Sequence, residues 1–168
     1  MIRKQRDNIL TKVERVIRER MPELYYYAGD WPSANRHFDF GHFPAILNLL
    51  PAKMQVTFTP KHMKQSGECS FAIFDKVDMD ATAEEYCAIV MDCAEYASEL
   101  ILQLNDSGLF DTIEGKDFEM SPLWNEMDVN VAGVIVNITL KEKQGIILCG
   151  QPIKSIFYGR EDCEGNPE

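Results

Sequence analysis

The stretch at residues 130–141, NVAGVIVNITLK, constrains the fold more than any other part of the chain. It predicts a long β-strand, because apolar β-branched residues alternate with smaller or polar ones. One face of this strand would carry four large apolar side chains: Val134, Val136, Ile138 and Leu140. Ile135, Asn137 and Thr139 would lie on the other face, which is mixed in polarity and therefore only half-covered.

The pair Ala132-Gly133 interrupts the β-branched residues of this strand. A glycine inside a strand marks a bulge or a place where another backbone approaches closely. No set of metal ligands, nucleophile or phosphate-binding loop adjoins the strand in the sequence. The strand therefore predicts a scaffold that pairs and packs, rather than a catalytic element.

The length of 168 residues suits one domain with its own core, expected over residues 1–158 and followed by a flexible acidic tail at 159–168. No apolar run approaches the roughly 20 residues that span a bilayer. The N-terminus is charged throughout and lacks the apolar region of a secretory signal. These features predict a cytoplasmic protein that does not associate with membranes.

The net charge of −10 is unevenly distributed along the chain. Residues 1–20 hold seven basic and three acidic side chains, a local charge of +4, which leaves −14 for the remainder. An acidic chain repels phosphates, so specific nucleic-acid recognition is not expected. The basic segment, with Arg3, Arg6, Arg15 and Arg18, is either a solvated helix face or a docking surface for an acidic neighbour, including a second copy.

The first 53 residues predict a helix followed by an irregular region. Residues 1–21 form the N-terminal helical segment, with an apolar stripe of Ile9, Val13, Val16 and Ile17, and Met21-Pro22 ends it. Residues 23–53 are expected to be a long loop rich in aromatic side chains. Its tyrosines and tryptophan, which include Tyr25, Tyr26 and Trp31, either cap the core or contact a partner.

The rest of the chain predicts an α+β domain. Strands at 54–59 and 69–77, with a turn at 64–68, form an antiparallel hairpin. A helix follows, with a capping box from Thr82 to Glu85, and Gly108 ends it. Strands at 117–123, 130–141 and 146–149 complete a mostly antiparallel sheet of four to five strands. The central amphipathic helix packs on one face of this sheet, in addition to the N-terminal helix.

Two groups of side chains are candidates for chemistry. The five cysteines contain no CxxC pair, which favours reduced, buried thiols and not a zinc site. His37, Asp39 and His42 lie within six residues and are a candidate for a metal-dependent site. Their loop spacing has little geometric specificity, so solvent-facing histidines are the favoured interpretation.

Two segments together resemble a known class of protein. The first is a capped helix with an aspartate-rich start, DKVDMDATAEEYCAIVMDCAEYASELILQL, and the second is FEMSPLWNEMDVNVAGVIVNITL. In the second, Asp128-Val129 precedes the Ala132-Gly133 step that opens the long strand. This layout, over roughly residues 54–148, resembles small virion proteins of tailed bacteriophages and prophages, the neck and tail-completion (tail-terminator-like) class. Val134 stands where an aromatic residue is common, and residues 23–50 lie outside the pattern.

The resemblance implies a non-enzymatic protein without a cofactor that forms a ring, often a hexamer, at the head–tail junction or the tail end. Its partners would be further copies of itself and other virion proteins, first in the bacterial cytoplasm and then in the virion. The expected interface residues are Arg3, Arg6, Arg15, Arg18, Tyr25, Tyr26, Trp31, Asp128 and Asn130. Two alternatives stay open: a protein-binding module of a mobile element that uses the aromatic loop 23–50, and a small metal-dependent enzyme with a site near His37, Asp39 and His42.

Overall fold

A computed structural model of the protein describes residues 8–38, 42–58, 62–124, 127, 130–143 and 146–147. The helices in these ranges are α1 (Ile9–Arg20), α2 (Trp31–Phe38) and α3 (Ala83–Asp106). The strands are β1 (Tyr25–Gly29), β2 (Ala45–Phe58), β3 (His62–Lys76), β4 (Phe118–Trp124), β5 (Val131–Lys141) and β6 (Ile146–Ile147). No helix in the described ranges is long and apolar enough to cross a membrane.

The strands form one mixed sheet in the order β1-β2-β3-β5-β4, and β6 pairs with β3. The α+β class and the packing of the central helix are confirmed, and the described residues contribute six strands to the sheet, where four to five are predicted. β1 runs parallel to β2, whereas the other neighbours are antiparallel. The parallel pair arises because α2 connects β1 to β2, and parallel strands need such a crossover.

β5 is an inner strand of the sheet, between β3 and β4. Its apolar face is buried as the alternation predicted, with Val136 opposite Phe71. Pairing with β3 continues without a shift past Gly133, so this glycine marks a close approach and not a bulge. A Cβ atom on Gly133 would lie 2.7 Å from Cα of Phe74 and would also clash with the carbonyl oxygen of Ile73.

The first face of the sheet is covered by α1 and α3. The predicted apolar stripe of α1 is fully confirmed as buried, and α3 contributes Cys93, Ala97, Leu100 and Leu104 to the same core. The predicted capping box opens α3: the Thr82 hydroxyl accepts from the backbone N–H of Glu85, and the Glu85 carboxylate accepts from that of Thr82. These hydrogen bonds hold the pKa of the Glu85 carboxyl below its ordinary value.

The second face carries α2, and here the expected loop over 23–53 is wrong. This region contains β1, α2 and the first half of β2. Gly29 and Pro32 suggested an irregular chain, but proline is well tolerated in the first turn of a helix. Asp30 caps α2 by accepting from the backbone N–H of Ser33 at 2.9 Å. The helix buries Ala34 and Phe38 against Leu47 and Phe74 of the sheet.

The hairpin of β2 and β3 also differs from the prediction. β2 begins at Ala45, and the predicted turn at 64–68 lies within β3. The strand continues through Pro51 because the register shifts between Leu49 and Lys53, which accommodates a residue without an N–H donor. The connection at 59–61 and the predicted acidic tail at 159–168 lie outside the described residues.

Candidate functional site

The exposed side of α1 carries the first group of predicted interface residues. A capping box at Asn8 and Thr11 starts the helix, and the apolar stripe then orients Arg15 and Arg18 toward solvent. The Nε of Arg18 donates to Glu14 at 2.8 Å, and its guanidinium carbon lies 5.2 Å from the ring centroid of Tyr26. We refer to Arg15 and Arg18 as the basic flank. Arg3 and Arg6 lie outside the described residues.

Two other basic residues of α1 form ion pairs with residues that are distant in the sequence. Arg20 donates to the Asp106 carboxylate of α3 at 2.5 Å. Lys12 points inward, and its Nζ lies 2.6 Å from Oε1 of Glu142, both side chains being buried. The other oxygen of Glu142 accepts from the backbone N–H of Gln65. The exposed basic surface is therefore smaller than the seven basic residues of the sequence suggest, because the Lys12 side chain is buried. Through Glu142, Lys12 joins α1 to β3 and to the end of β5.

The solvent side of α3 is acidic. The helix contains no lysine or arginine, and its six carboxylates are Glu84, Glu85, Asp92, Glu95, Glu99 and Asp106. Met91 and Leu102 are 63% and 65% exposed on the same helix. They are eleven positions apart, about three turns, and so point in the same direction. We define Met91, Ser98 and Leu102, with the carboxylates beside them, as the α3 ridge.

The predicted aromatic contacts separate into buried and accessible ones. Tyr26 is only 7% exposed and its hydroxyl accepts a hydrogen bond from Asn48, so its ring belongs to the subunit core. Burial raises the pKa of this tyrosine. Tyr25 and Trp31 are half-buried on the second face of the sheet. Strand alternation explains this difference, because successive side chains point to opposite faces.

A cleft of about 380 Å³ lies beside the end of α1. Arg18, Tyr25 and His42 are among its lining residues. The Tyr25 and His42 rings are 5.0 Å apart between centroids, and Phe43 also borders the cleft. A second cleft, of about 320 Å³, is lined by Trp31, Leu49 and Ser70, so the predicted aromatic region is accessible to another molecule at two places.

The candidate metal residues are only partly described. His37 stacks on Tyr27 with ring centroids 4.0 Å apart, and its Nε2 is hydrogen-bonded to the Tyr25 hydroxyl at 2.9 Å. Asp39 lies outside the described residues. Within the ranges that are described, no group of three or more histidine, cysteine or acidic side chains is arranged to hold a metal ion.

The remaining predicted positions are near the start of β5. Asn130 is half-buried, and its backbone carbonyl accepts from the N–H of Val77. That bond ties the start of β5 to the segment before α3. Asp128 lies outside the described residues.

The far half of the hairpin has an accessible apolar surface that the sequence patterns do not predict. Residues 53–58 of β2 and 62–67 of β3 form the far half of the hairpin, which we call the arm. Met54, Val56 and Phe58 are 37%, 46% and 65% exposed on it. The alternation of apolar and polar residues at 54–58 is typical of a strand with one buried face, but in the structure that apolar face is exposed.

The three described cysteines differ in how far they are buried. Cys69 and Cys93 are buried, and burial raises their pKa values to about 11 and about 12. Cys87, on α3, is exposed. The prediction of buried thiols thus holds for two of the three described cysteines.

No family model matches the chain, and no curated protein has significant sequence similarity to it.

Proposed function

We propose that this protein is a non-enzymatic structural subunit of a phage or prophage virion, which assembles into a homo-oligomeric ring at the head–tail junction or the tail end. The observation that carries this proposal is that one subunit has both the basic flank on α1 and the acidic solvent side of α3, and that the two helices lie in the same layer. The virion assignment rests on the resemblance of residues 54–148 to the tail-terminator-like class.

The charge layout favours a head-to-tail contact between copies. A two-fold contact through α3 would bring carboxylates against carboxylates, which is unfavourable. If the basic flank of one copy meets α3 of the next, opposite charges meet at every contact. Contacts of this heterologous kind close into a ring when the rotation per subunit allows it.

The assembly is tested by size-exclusion chromatography with light scattering and by electron microscopy of the full chain. We expect a discrete ring. Arg15→Glu combined with Arg18→Glu should dissociate it, and Asp92→Lys with Glu95→Lys in the same chain should restore it. Lys116→Glu is the matched control, since Lys116 is exposed and pairs locally with Glu114. A monomeric wild-type protein would remove the proposal.

The virion assignment has its own test, which is independent of assembly. We expect genes for a portal, capsid or tail protein to flank the gene for this chain. The protein would then be made in the bacterial cytoplasm and carried into the virion with its partners. If the protein forms a ring but its gene lies in a region without virion genes, the proposed assembly stands and the virion assignment is overturned.

A protein-binding module of a mobile element is a second candidate, and the cleft beside α1 favours it. Tyr25, His42 and Phe43 present aromatic surface there next to the Arg18 guanidinium. Aromatic and arginine side chains are enriched at protein interfaces. This candidate predicts a monomer, whereas the ring predicts a discrete oligomer.

A further inference from the structure

The arm has an open edge. β1 pairs with β2 only at residues 45–49, so residues 53–58 have β3 on one side and no described strand on the other. Met54, Val56 and Phe58 share one face of this edge strand, while Lys53, Gln55 and Thr57 share the opposite face. Exposed apolar edge strands are templates for contact with another chain.

The apolar stripe of the arm lies on the same side of the sheet as α1. Val56 is opposite Gln65, and the Gln65 side chain accepts from the backbone N–H of Ile9 at 3.3 Å. The first turn of α1 therefore lies beside the arm. The stripe and the helix that carries the basic flank are on the same side of the sheet.

The α3 ridge matches this surface in length, polarity and charge. Met54 and Phe58 are four strand positions apart, about 14 Å. Met91 and Leu102 are separated by about 16 Å along the helix. Ser98 lies between them and leaves room for a close approach. The carboxylates of α3 provide the charge that complements the basic flank.

We propose that the apolar stripe of the arm packs against the α3 ridge of the next copy in the ring. The inference rests on the proposed ring and identifies its interface: Val56 of one copy near Ser98 of another, with the basic flank beside the neighbour's Asp92 and Glu95.

Disulfide trapping tests this contact in the full chain. Cys87, Cys149 and Cys163 are first changed to serine, whereas the buried Cys69 and Cys93 are retained because their raised pKa values suppress reaction at neutral pH. Val56→Cys with Ser98→Cys is then oxidised mildly and run on a non-reducing gel. We expect a ladder of covalent oligomers that ends at the ring size.

Two matched variants define specificity. Thr57→Cys with Ser98→Cys places the thiol on the opposite face of the same strand, and Val56→Cys alone detects a contact between two arms. Neither should give a ladder. A ladder from the Thr57 variant, or dimers from Val56→Cys alone, would overturn the proposed contact.

The sign of an introduced charge gives a second readout. Because α3 is acidic, Val56→Asp should raise the dissociation constant of the assembly at least tenfold more than Val56→Lys does. Equal effects would contradict docking on α3. A ring that forms without trapping between positions 56 and 98 overturns this contact alone, whereas a monomeric wild-type protein overturns the ring as well.

Discussion

At the scale of single residues, α1 places similar basic side chains in opposite environments. Arg15 and Arg18 are exposed, whereas the Lys12 ammonium is buried against Glu142 at 2.6 Å. The second Glu142 oxygen accepts from Gln65, so the carboxylate is well satisfied. A buried pair of this kind adds little over an apolar pair, but removing one partner leaves a buried charge without compensation.

We therefore expect Lys12→Met to lower the free energy of unfolding by roughly 3–5 kcal/mol, measured by urea denaturation with circular dichroism. Adding Glu142→Gln should recover more than half of the loss, because the amide oxygen still accepts from Gln65. Lys116→Met breaks an exposed pair and should leave the free energy of unfolding nearly unchanged. A Lys12→Met variant as stable as the Lys116→Met control would refute a structural role for the buried pair.

At the scale of elements, the pairing of β3 with β5 depends on Gly133. The close approach of the Phe74 backbone leaves no room for a side chain, and backbone atoms cannot rotate away as a side chain could. The unbroken register from Ser66 to Lys76 follows from this tight contact. The glycine is thus required by packing, not by an unusual backbone angle.

Gly133→Ala should lower the free energy of unfolding by roughly 3 kcal/mol, since the added methyl group forces the two strands apart. Gly115→Ala is the control, because a Cβ atom there meets nothing within 4 Å. It should change stability by less than about 0.5 kcal/mol. Thermal unfolding of both variants measures the difference, and equal melting temperatures would show that the strands adjust freely.

At the scale of the whole molecule, charge is arranged in separate surfaces. A net charge of −10 is combined with an exposed basic flank on α1 and an acidic α3 beside it. The apolar stripe of the arm adds a contact that does not depend on charge. The proposed assembly would therefore combine an electrostatic part, which salt screens, with an apolar part, which it does not.

This combination predicts a graded response to salt. The Debye length falls from about 10 Å at 0.1 M to about 3 Å at 1 M, so exposed ion pairs between copies weaken. We expect the dissociation constant of the ring to rise by about tenfold, which corresponds to about 1.4 kcal/mol. Analytical ultracentrifugation at the two salt concentrations measures this change. Insensitivity to salt would exclude the basic flank from the interface.

The sequence alone predicted the elements whose signals are local. The alternation in β5, the apolar stripe of α1 and the capping box at Thr82 depend on residues within a few positions of one another, and all are present. The region at 23–53 was misjudged because Gly29 and Pro32 are ambiguous signals. Both can end an element, and both occur at the boundaries of short ones.

The tertiary structure decided which surfaces remain accessible. Lys12 can be buried because its ammonium pairs with Glu142, which is 130 positions away in the sequence. No local sequence pattern predicts this contact. Met54, Val56 and Phe58 are exposed because the core under the described helices does not extend to this end of the sheet face. Local periodicity determines which residues share a face, because it is set by backbone geometry. Whether that face is covered depends on distant parts of the chain that only folding brings together.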